Sequence, residues 1–159
     1  MDGGSESRRI TIHQPADFAG MRAAGRLAAE ALDMITEHVR PGISTAALDT
    51  LCHDFIIARG AVPAPLNYRG YPKSICTSIN HVVCHGIPGD RLLEAGDIVN
   101  IDVTVILDGW HGDSSRMYCA GPPSTKARNL IEVTHEALML GVAVAKPGAT
   151  LGDIGHAIQ

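Results

Sequence analysis

The sequence predicts an α+β fold in which helices cover an antiparallel sheet. Two observations indicate this class. Apolar residues recur at helical spacing after Asp17, whereas β-branched residues alternate over 97–107 and are followed by Asp108-Gly109 and a second extended stretch. With 159 residues, the chain is long enough to bury one ordinary hydrophobic core.

Two helices are predicted near the start of the chain. Residues 1–13 are polar and are predicted to be flexible. Asp17 is predicted to cap a helix that ends near Val39, and Pro41-Gly42 follows it. Ser44 is predicted to cap the second helix. The apolar stripe of the first helix consists of Phe18, Met21, Ala24, Ala28, Leu32, Ile35 and Val39.

A loop and a strand are predicted between these helices and the hairpin. Residues 61–71 contain proline, glycine and two tyrosines, a composition typical of a loop, and residues 73–80 are predicted to form a strand. His85 follows in the short apolar segment VVCHGIP. A histidine at a strand end can serve a functional site, although a lone histidine is more often a packed core residue.

The central element is a predicted β-hairpin. Strand 97–107 directs Asp102 and Thr104 to the face opposite its valines, and Asp108-Gly109 is a strong signal for a two-residue turn. This turn would set Thr104 opposite Asp113. Asp102 would then be the diagonal neighbour of Asp113 on the same face, at a separation of about 7–8 Å.

Two carboxylates this close on a largely apolar strand suggest a metal site. Each is costly to bury without a positive partner, and a divalent cation would remove their mutual repulsion. A structural interpretation also remains open. In it, Asp113 caps the hairpin and Asp102 accepts hydrogen bonds from Thr104 or from a backbone amide.

The last third of the chain is predicted to be helical and to repeat the first helices. Ser124 would begin a helix over 125–145, with Leu130, Val133, Ala137, Leu138 and Gly141 on its apolar side. Thr150 and Asp153 fit a capping box for a further helix. VRPGISTAALDTLC from Val39 matches AKPGATLGDIGHAI from Ala145, which indicates an internal duplication whose second copy is incomplete.

Composition excludes several classes of function. The net charge of −4 is small and unclustered, which argues against direct nucleic-acid binding. No apolar run reaches the length of a membrane span or of a signal peptide. The four cysteines lack paired C-x-x-C spacing and are expected to be reduced thiols in a cytoplasmic protein.

Four motifs carry a resemblance to a known family. NHVVCHGIP, DIVNIDVTV, DGWHGDSSRMY and YPKSICTSIN resemble the type I methionine aminopeptidases, which have the pita-bread metallopeptidase fold, and the resemblance extends over essentially the whole chain. It implies a dinuclear metal site in which Asp102 chelates one ion and Asp113 bridges both. It also implies that His85 contacts the substrate and assists the chemistry, and that a methionine pocket is lined by Tyr68, Tyr71 and Cys76.

The resemblance further implies an activity. The expected reaction is metal-dependent removal of the initiator methionine from nascent proteins whose second residue is small. Two divalent ions are implied, either cobalt, manganese, iron or zinc. The implied partners are N-terminal peptides that begin with methionine, and the family allows contact with the ribosome. His81 and Gly89 stand where the family usually has an acidic residue, but neither occupies a ligand position.

One departure from the family pattern is large. Residues 14–121 correspond to the first half of the pita-bread fold and 122–159 to the truncated start of the second. The family takes a histidine and two glutamates, its other metal ligands, from the C-terminal half. We therefore expect the 159-residue chain alone to bind metal weakly and to hydrolyse little. The alternative is a non-catalytic binding module of the same fold.

Overall fold

A computed structural model describes residues 10–159. Residues 1–9, which make up most of the predicted flexible segment, lie outside this range. The helices are α1 (Asp17–Ile35), α2 (Thr45–Ala58), α3 (Thr125–Val144) and α4 (Leu151–Ile158), with 3-10 turns at Thr36–His38 and Tyr68–Gly70. The strands are β1 (Val62–Pro63), β2 (Cys76–Ile79), β3 (Asp97–Leu107) and β4 (Trp110–Ala120).

Strand β3 is the centre of a four-stranded antiparallel sheet. It pairs with β4 along its full length on one edge, and with β1 and β2 on the other. Leu107 pairs with Trp110, so the predicted two-residue turn is confirmed. The same register sets Thr104 opposite Asp113.

The two faces of β3 differ in burial. Val99, Ile101, Val103 and Val105 are fully buried in the hydrophobic core, as the alternation predicts. Each such side chain contributes roughly 1.5–3 kcal/mol through its removal from water. The residues between them are partly exposed. The helices therefore cover only one face of the hairpin, and the opposite face remains accessible.

Helix α1 differs from the prediction at both ends. It ends at Ile35 rather than near Val39. The predicted Asp17 cap is wrong, because the cap residue is Ala16, whose own backbone is already helical. The Asp17 carboxylate instead accepts a hydrogen bond from the Gln14 amide at 2.8 Å. Phe18 and Met21 are 43% and 49% exposed, so the predicted stripe is wrong there. The residues of α1 that are buried are Ala24, Leu27, Ala28, Ala31, Leu32 and Ile35.

The starts of the other three helices were predicted correctly. The side chains of Ser44 and Ser124 accept hydrogen bonds from amides three residues later, and Thr150 forms the predicted capping box with Asp153. Strand 73–80 is shorter than predicted, since only Cys76–Ile79 pairs with β3. Strand β1 was missed, because two residues that include a proline carry no recognisable alternation.

Helix α3 packs on α4 rather than on the sheet. Gly141 is its only residue that is classed as buried, and it lies against α4 near Ile154 and Ile158. Leu130, Val133 and Leu138, which belong to the predicted apolar side, are all more than half exposed. Nothing in residues 10–159 covers them.

The two linkers of the predicted repeat have similar geometry. Gly42 and Gly148 both have positive φ, at 88° and 91°. Each is followed after one residue by a hydroxyl side chain that caps the next helix. This correspondence supports the duplication that the sequence indicates.

Acid is expected to destabilise the fold through Asp97, at the start of β3. Burial alone would raise the pKa of its carboxyl, but hydrogen bonds from the Glu94 amide (2.9 Å) and the Asn80 side chain (2.7 Å), together with Arg91, lower that pKa. A lowered pKa contributes stability above the unfolded value of about 3.9, and this contribution is lost as the pH falls through the folded value.

Asp97→Asn should thus lower the free energy of unfolding at pH 7 by about 1–3 kcal/mol. Urea unfolding measured at pH 7 and at pH 3 should show a difference between wild type and variant that shrinks at pH 3. Asn in place of the exposed Asp90 is the control and should change neither value. A difference that does not depend on pH would contradict the role of the Asp97 charge.

Candidate metal and substrate site

The hairpin positions two carboxylates on its accessible face. Asp102 on β3 is paired with Ser115, and Asp113 on β4 is paired with Thr104, so the aspartates are diagonal neighbours. Both belong to the alternate set of residues that point away from the buried valines. The predicted placement of the two aspartates on one face is confirmed.

The electrostatics of this pair indicate close approach. Burial raises the pKa of Asp102, and the negative charge of Asp113 raises it further. The nearby His85 lowers the pKa of Asp102 and so acts in the opposite direction. Like charges at such short range favour either a shared proton or a cation.

His85 lies on a segment that is attached to the free edge of β2. The Thr77 amide donates to the Gly86 carbonyl at 2.8 Å, and the Gly86 amide donates to Ser78 Oγ at 3.2 Å. A side chain at Gly86 would collide with the backbone of Thr77, so glycine is required for this close approach. His85 itself has φ +54°, an unfavourable value for a residue with a Cβ, and such strain often marks functional sites.

Tyr71 connects the loop before β2 to the His85 segment. Its hydroxyl donates to the Ile75 carbonyl at 3.0 Å and lies 3.3 Å from the Gly86 carbonyl. Burial and the neighbouring Cys76 raise the pKa of the Tyr71 hydroxyl, which therefore remains a donor at neutral pH. Cys76 is buried and is paired with Asp102 across the sheet, and burial raises the pKa of its thiol.

A carboxylate on α2 holds the other end of this loop. Asp49 is buried and accepts hydrogen bonds from the amides of Ser74 (2.8 Å) and Ile75 (3.1 Å). Lys73 lies 3.8 Å from its second oxygen. His53 on α2 lies 2.8 Å from Ser74 Oγ through Nδ1.

One cavity of about 750 Å³ collects the residues that the sequence singled out. It lies over the accessible face of the hairpin. The predicted site residues among those lining it are Tyr68, Tyr71, Cys76, His85, Asp102 and Asp113. Its wall also contains apolar groups from Pro65, Pro72 and Ile87, so an apolar compartment adjoins the two carboxylates.

Sequence reasoning missed three polar residues of this cavity: Arg69, Thr104 and His111. The strand alternation contained the signal for two of them. Thr104 and His111 are each two residues from an aspartate and therefore share its face. Arg69 lies in a loop with no periodicity, so no local pattern could identify it.

The two carboxylates have the chemistry that a divalent ion requires, but they are too few to form a complete metal site. Carboxylate oxygens suit hard and borderline divalent cations. Within residues 10–159, however, no group of three or more His, Cys, Asp or Glu side chains is placed to hold one ion. Protein metal sites usually provide at least four ligands, so Asp102 and Asp113 would form only part of a site.

The cysteines and the helices exclude further features of the described residues. All four cysteines are free thiols, as predicted. Burial, together with the nearby Asp49 charge, raises the pKa of Cys52 to about 12, so this thiol is not a nucleophile. Across the part of the chain that the structure describes, the helices are too short or too polar to cross a membrane.

Curated relatives match most of this chain. A methionine aminopeptidase of Rickettsia prowazekii is 65% identical over 150 residues, and one of Escherichia coli K12 is 55% identical over 152. Each match includes 94% of this chain but only 58% of the relative. The resemblance to methionine aminopeptidases that the motifs carry is thereby confirmed, and the chain spans little more than half the length of these relatives.

Solved structures show the same fold. The methionine aminopeptidase of R. prowazekii superimposes with a TM-score of 0.93 at 64% identity, and that of Thermotoga maritima with 0.91 at 33%; both matches cover 95% of this chain and 61% of the other. Aminopeptidase P of E. coli, at 21% identity, reaches 0.80 over 91% of this chain and 32% of its own, and so shows the fold alone. The predicted pita-bread fold is confirmed.

A family profile places the chain more broadly. The profile described as metallopeptidase family M24 matches residues 19–159, which include every residue of the candidate site. Divalent metal is thus the cofactor class of the family. The chain belongs to metallopeptidase family M24.

Proposed function

We propose that this chain is the N-terminal portion of a metal-dependent methionine aminopeptidase. The substrate would be a nascent protein that begins with methionine and has a small second residue. One observation carries the proposal: two facing carboxylates, a histidine and an apolar compartment share one cavity. The names of the relatives at 65% and 55% identity support the same activity.

Asp102 and Asp113 would hold the metal. These two carboxylates would be able to share divalent ions, since they lie diagonally across the hairpin on the same face. When bound, such ions supply Lewis-acid chemistry, which polarises the scissile carbonyl and activates water at neutral pH. Cobalt, manganese, iron and zinc all suit these ligands.

The rest of the cavity would select and orient the substrate. Tyr68, Tyr71 and Cys76 would line the pocket for the methionine side chain, whose thioether suits an apolar wall. His85 would contact the peptide and assist proton transfer. The hydrogen bonds at Gly86 and Tyr71 fix the backbone next to His85, which would keep the imidazole oriented.

The proposal extends to the domain organisation and the cellular setting. Residues 14–121 would form the first half of the fold, and 122–159 would begin a second half that supplies the missing ligands. The exposed apolar residues of α3 support this division, because their side chains remain uncovered by the described residues. The site of action would be the cytoplasm, on nascent chains at the ribosome.

The function can be tested by peptide binding and by hydrolysis. The 159-residue chain would be titrated with Met-Ala-Ala-amide and with its N-acetyl derivative, with and without Co²⁺ or Mn²⁺. We expect metal to strengthen binding of the free peptide only, because acetylation removes the amine that a metal or carboxylate could bind. Hydrolysis measured by mass spectrometry should be slow, since two carboxylates leave an ion short of ligands.

The same experiment separates a second candidate, a binding module of this fold without catalysis. The small number of ligands among the described residues favours it. Equal affinity for free and acetylated peptides, unaffected by metal, would support the module and contradict the aminopeptidase. Rapid hydrolysis by the 159-residue chain would contradict the expectation that further ligands are needed.

A further inference from the structure

Arg69 is the one permanent cation among the residues that line the cavity. The other fixed charges among the lining residues are those of Asp102 and Asp113. No carboxylate in residues 10–159 forms a salt bridge with Arg69, unlike Arg59, Arg91 and Arg116, each of which has an acidic partner. The guanidinium is therefore available to a ligand.

The backbone around Arg69 is strained and held in place. Arg69 has φ +49° and Asn67 has φ +66°, both in the left-handed region that residues with a Cβ rarely adopt. The Asn67 amide donates to the Tyr71 carbonyl at 2.8 Å, and the Tyr71 amide donates to the Tyr68 carbonyl at 2.9 Å. The loop thus presents Arg69 beside Tyr68, with the guanidinium carbon 5.4 Å from the centre of the Tyr68 ring.

The opposite charges are expected to orient a peptide within the cavity. An N-terminal amine is attracted towards the aspartates or a metal between them, whereas a carboxylate further along the peptide is attracted towards Arg69. We propose that Arg69 is a specificity-determining residue that favours substrates with an acidic residue beyond the second position. This inference rests on the proposed aminopeptidase function and adds a preference beyond the small second residue.

The test compares matched peptides with the 159-residue chain. Met-Ala-Glu-Ala-amide and Met-Ala-Ala-Glu-amide would each be compared with the corresponding glutamine peptide, by chemical-shift titration of ¹⁵N-labelled protein in the presence of Zn²⁺. In wild type we expect at least one glutamate peptide to bind about two- to five-fold more tightly, the magnitude of an exposed ion pair. Raising the salt from 50 to 500 mM should remove the preference.

Two variants distinguish recognition from loop support. Arg69→Gln should abolish the preference, so that each glutamate peptide binds no more tightly than its glutamine counterpart. Arg22→Gln removes the same charge from an exposed position on α1 that does not line this cavity, and it should keep the preference.

Three outcomes would overturn the inference. Equal affinities in wild type would do so, as would a preference that persists in Arg69→Gln. If Arg69→Gln weakened the binding of glutamine peptides and glutamate peptides by the same factor, Arg69 would only support the loop. The absence of any peptide binding to wild type would instead overturn the proposed function, and this inference with it.

Discussion

Replacing Asp113 by alanine is expected to abolish measurable Co²⁺ or Mn²⁺ binding by this chain. The register leaves Asp102 as the only other carboxylate on this part of the hairpin face, and one carboxylate cannot hold a divalent ion against water. Loss of groups that merely orient metal ligands already costs about 10–100-fold in metal affinity, so loss of a ligand should weaken metal binding by more than about 100-fold.

Calorimetric metal titration measures this effect. Asp54→Asn is the matched control, since it removes an exposed carboxylate from α2 outside the cavity. Asp113→Ala can also be tested by a measurement that requires no metal. Because Asp113 raises the pKa of Asp102, the carboxyl resonance of Asp102 should titrate at lower pH in Asp113→Ala. Undiminished metal binding, or an unchanged Asp102 pKa, would mean that the two side chains do not face the same point.

The hairpin and its aspartates could be predicted because their geometry is local. Alternation assigns Asp102 to a face, and Asp108-Gly109 fixes the turn and therefore the register that pairs Thr104 with Asp113. Residues only a few positions apart determine all of this. The capping residues Ser44 and Thr150 were predictable for the same reason, since each contacts an amide three residues away.

Features that depend on distant parts of the chain were not predictable from these patterns. The cavity wall requires Tyr71 to reach the Gly86 carbonyl, and strand β1 exists only because it pairs with Ile106 and Val105. The exposure of Phe18 and Leu130 has the same cause. Helical periodicity identifies an apolar side, but the side is buried only where another element covers it.

The hairpin also depends on a close contact with α1, which gives the second large prediction. Gly112 on β4 packs directly against the backbone of Ala24 and Gly25, and a Cβ at position 112 would overlap the Ala24 carbonyl. Gly112→Ala must therefore displace α1 from the sheet. We expect the free energy of unfolding to fall by about 3 kcal/mol or more, at the upper end of overpacking effects.

Thermal unfolding followed by circular dichroism should show a melting temperature about 6–12 °C lower, the shift that ~3 kcal/mol produces in a domain of this size. Gly25→Ala is the matched control on the helix side. An added Cβ at Gly25 would meet no atom within 4 Å, so this variant should be more stable by about 0.5–1 kcal/mol through helix propensity alone. If both variants were destabilised equally, general intolerance of the α1–β4 contact would explain the loss. Opposite signs would show that backbone-to-backbone packing at Gly112 fixes the distance between helix and hairpin, and with it the position of Asp113 one residue further along β4.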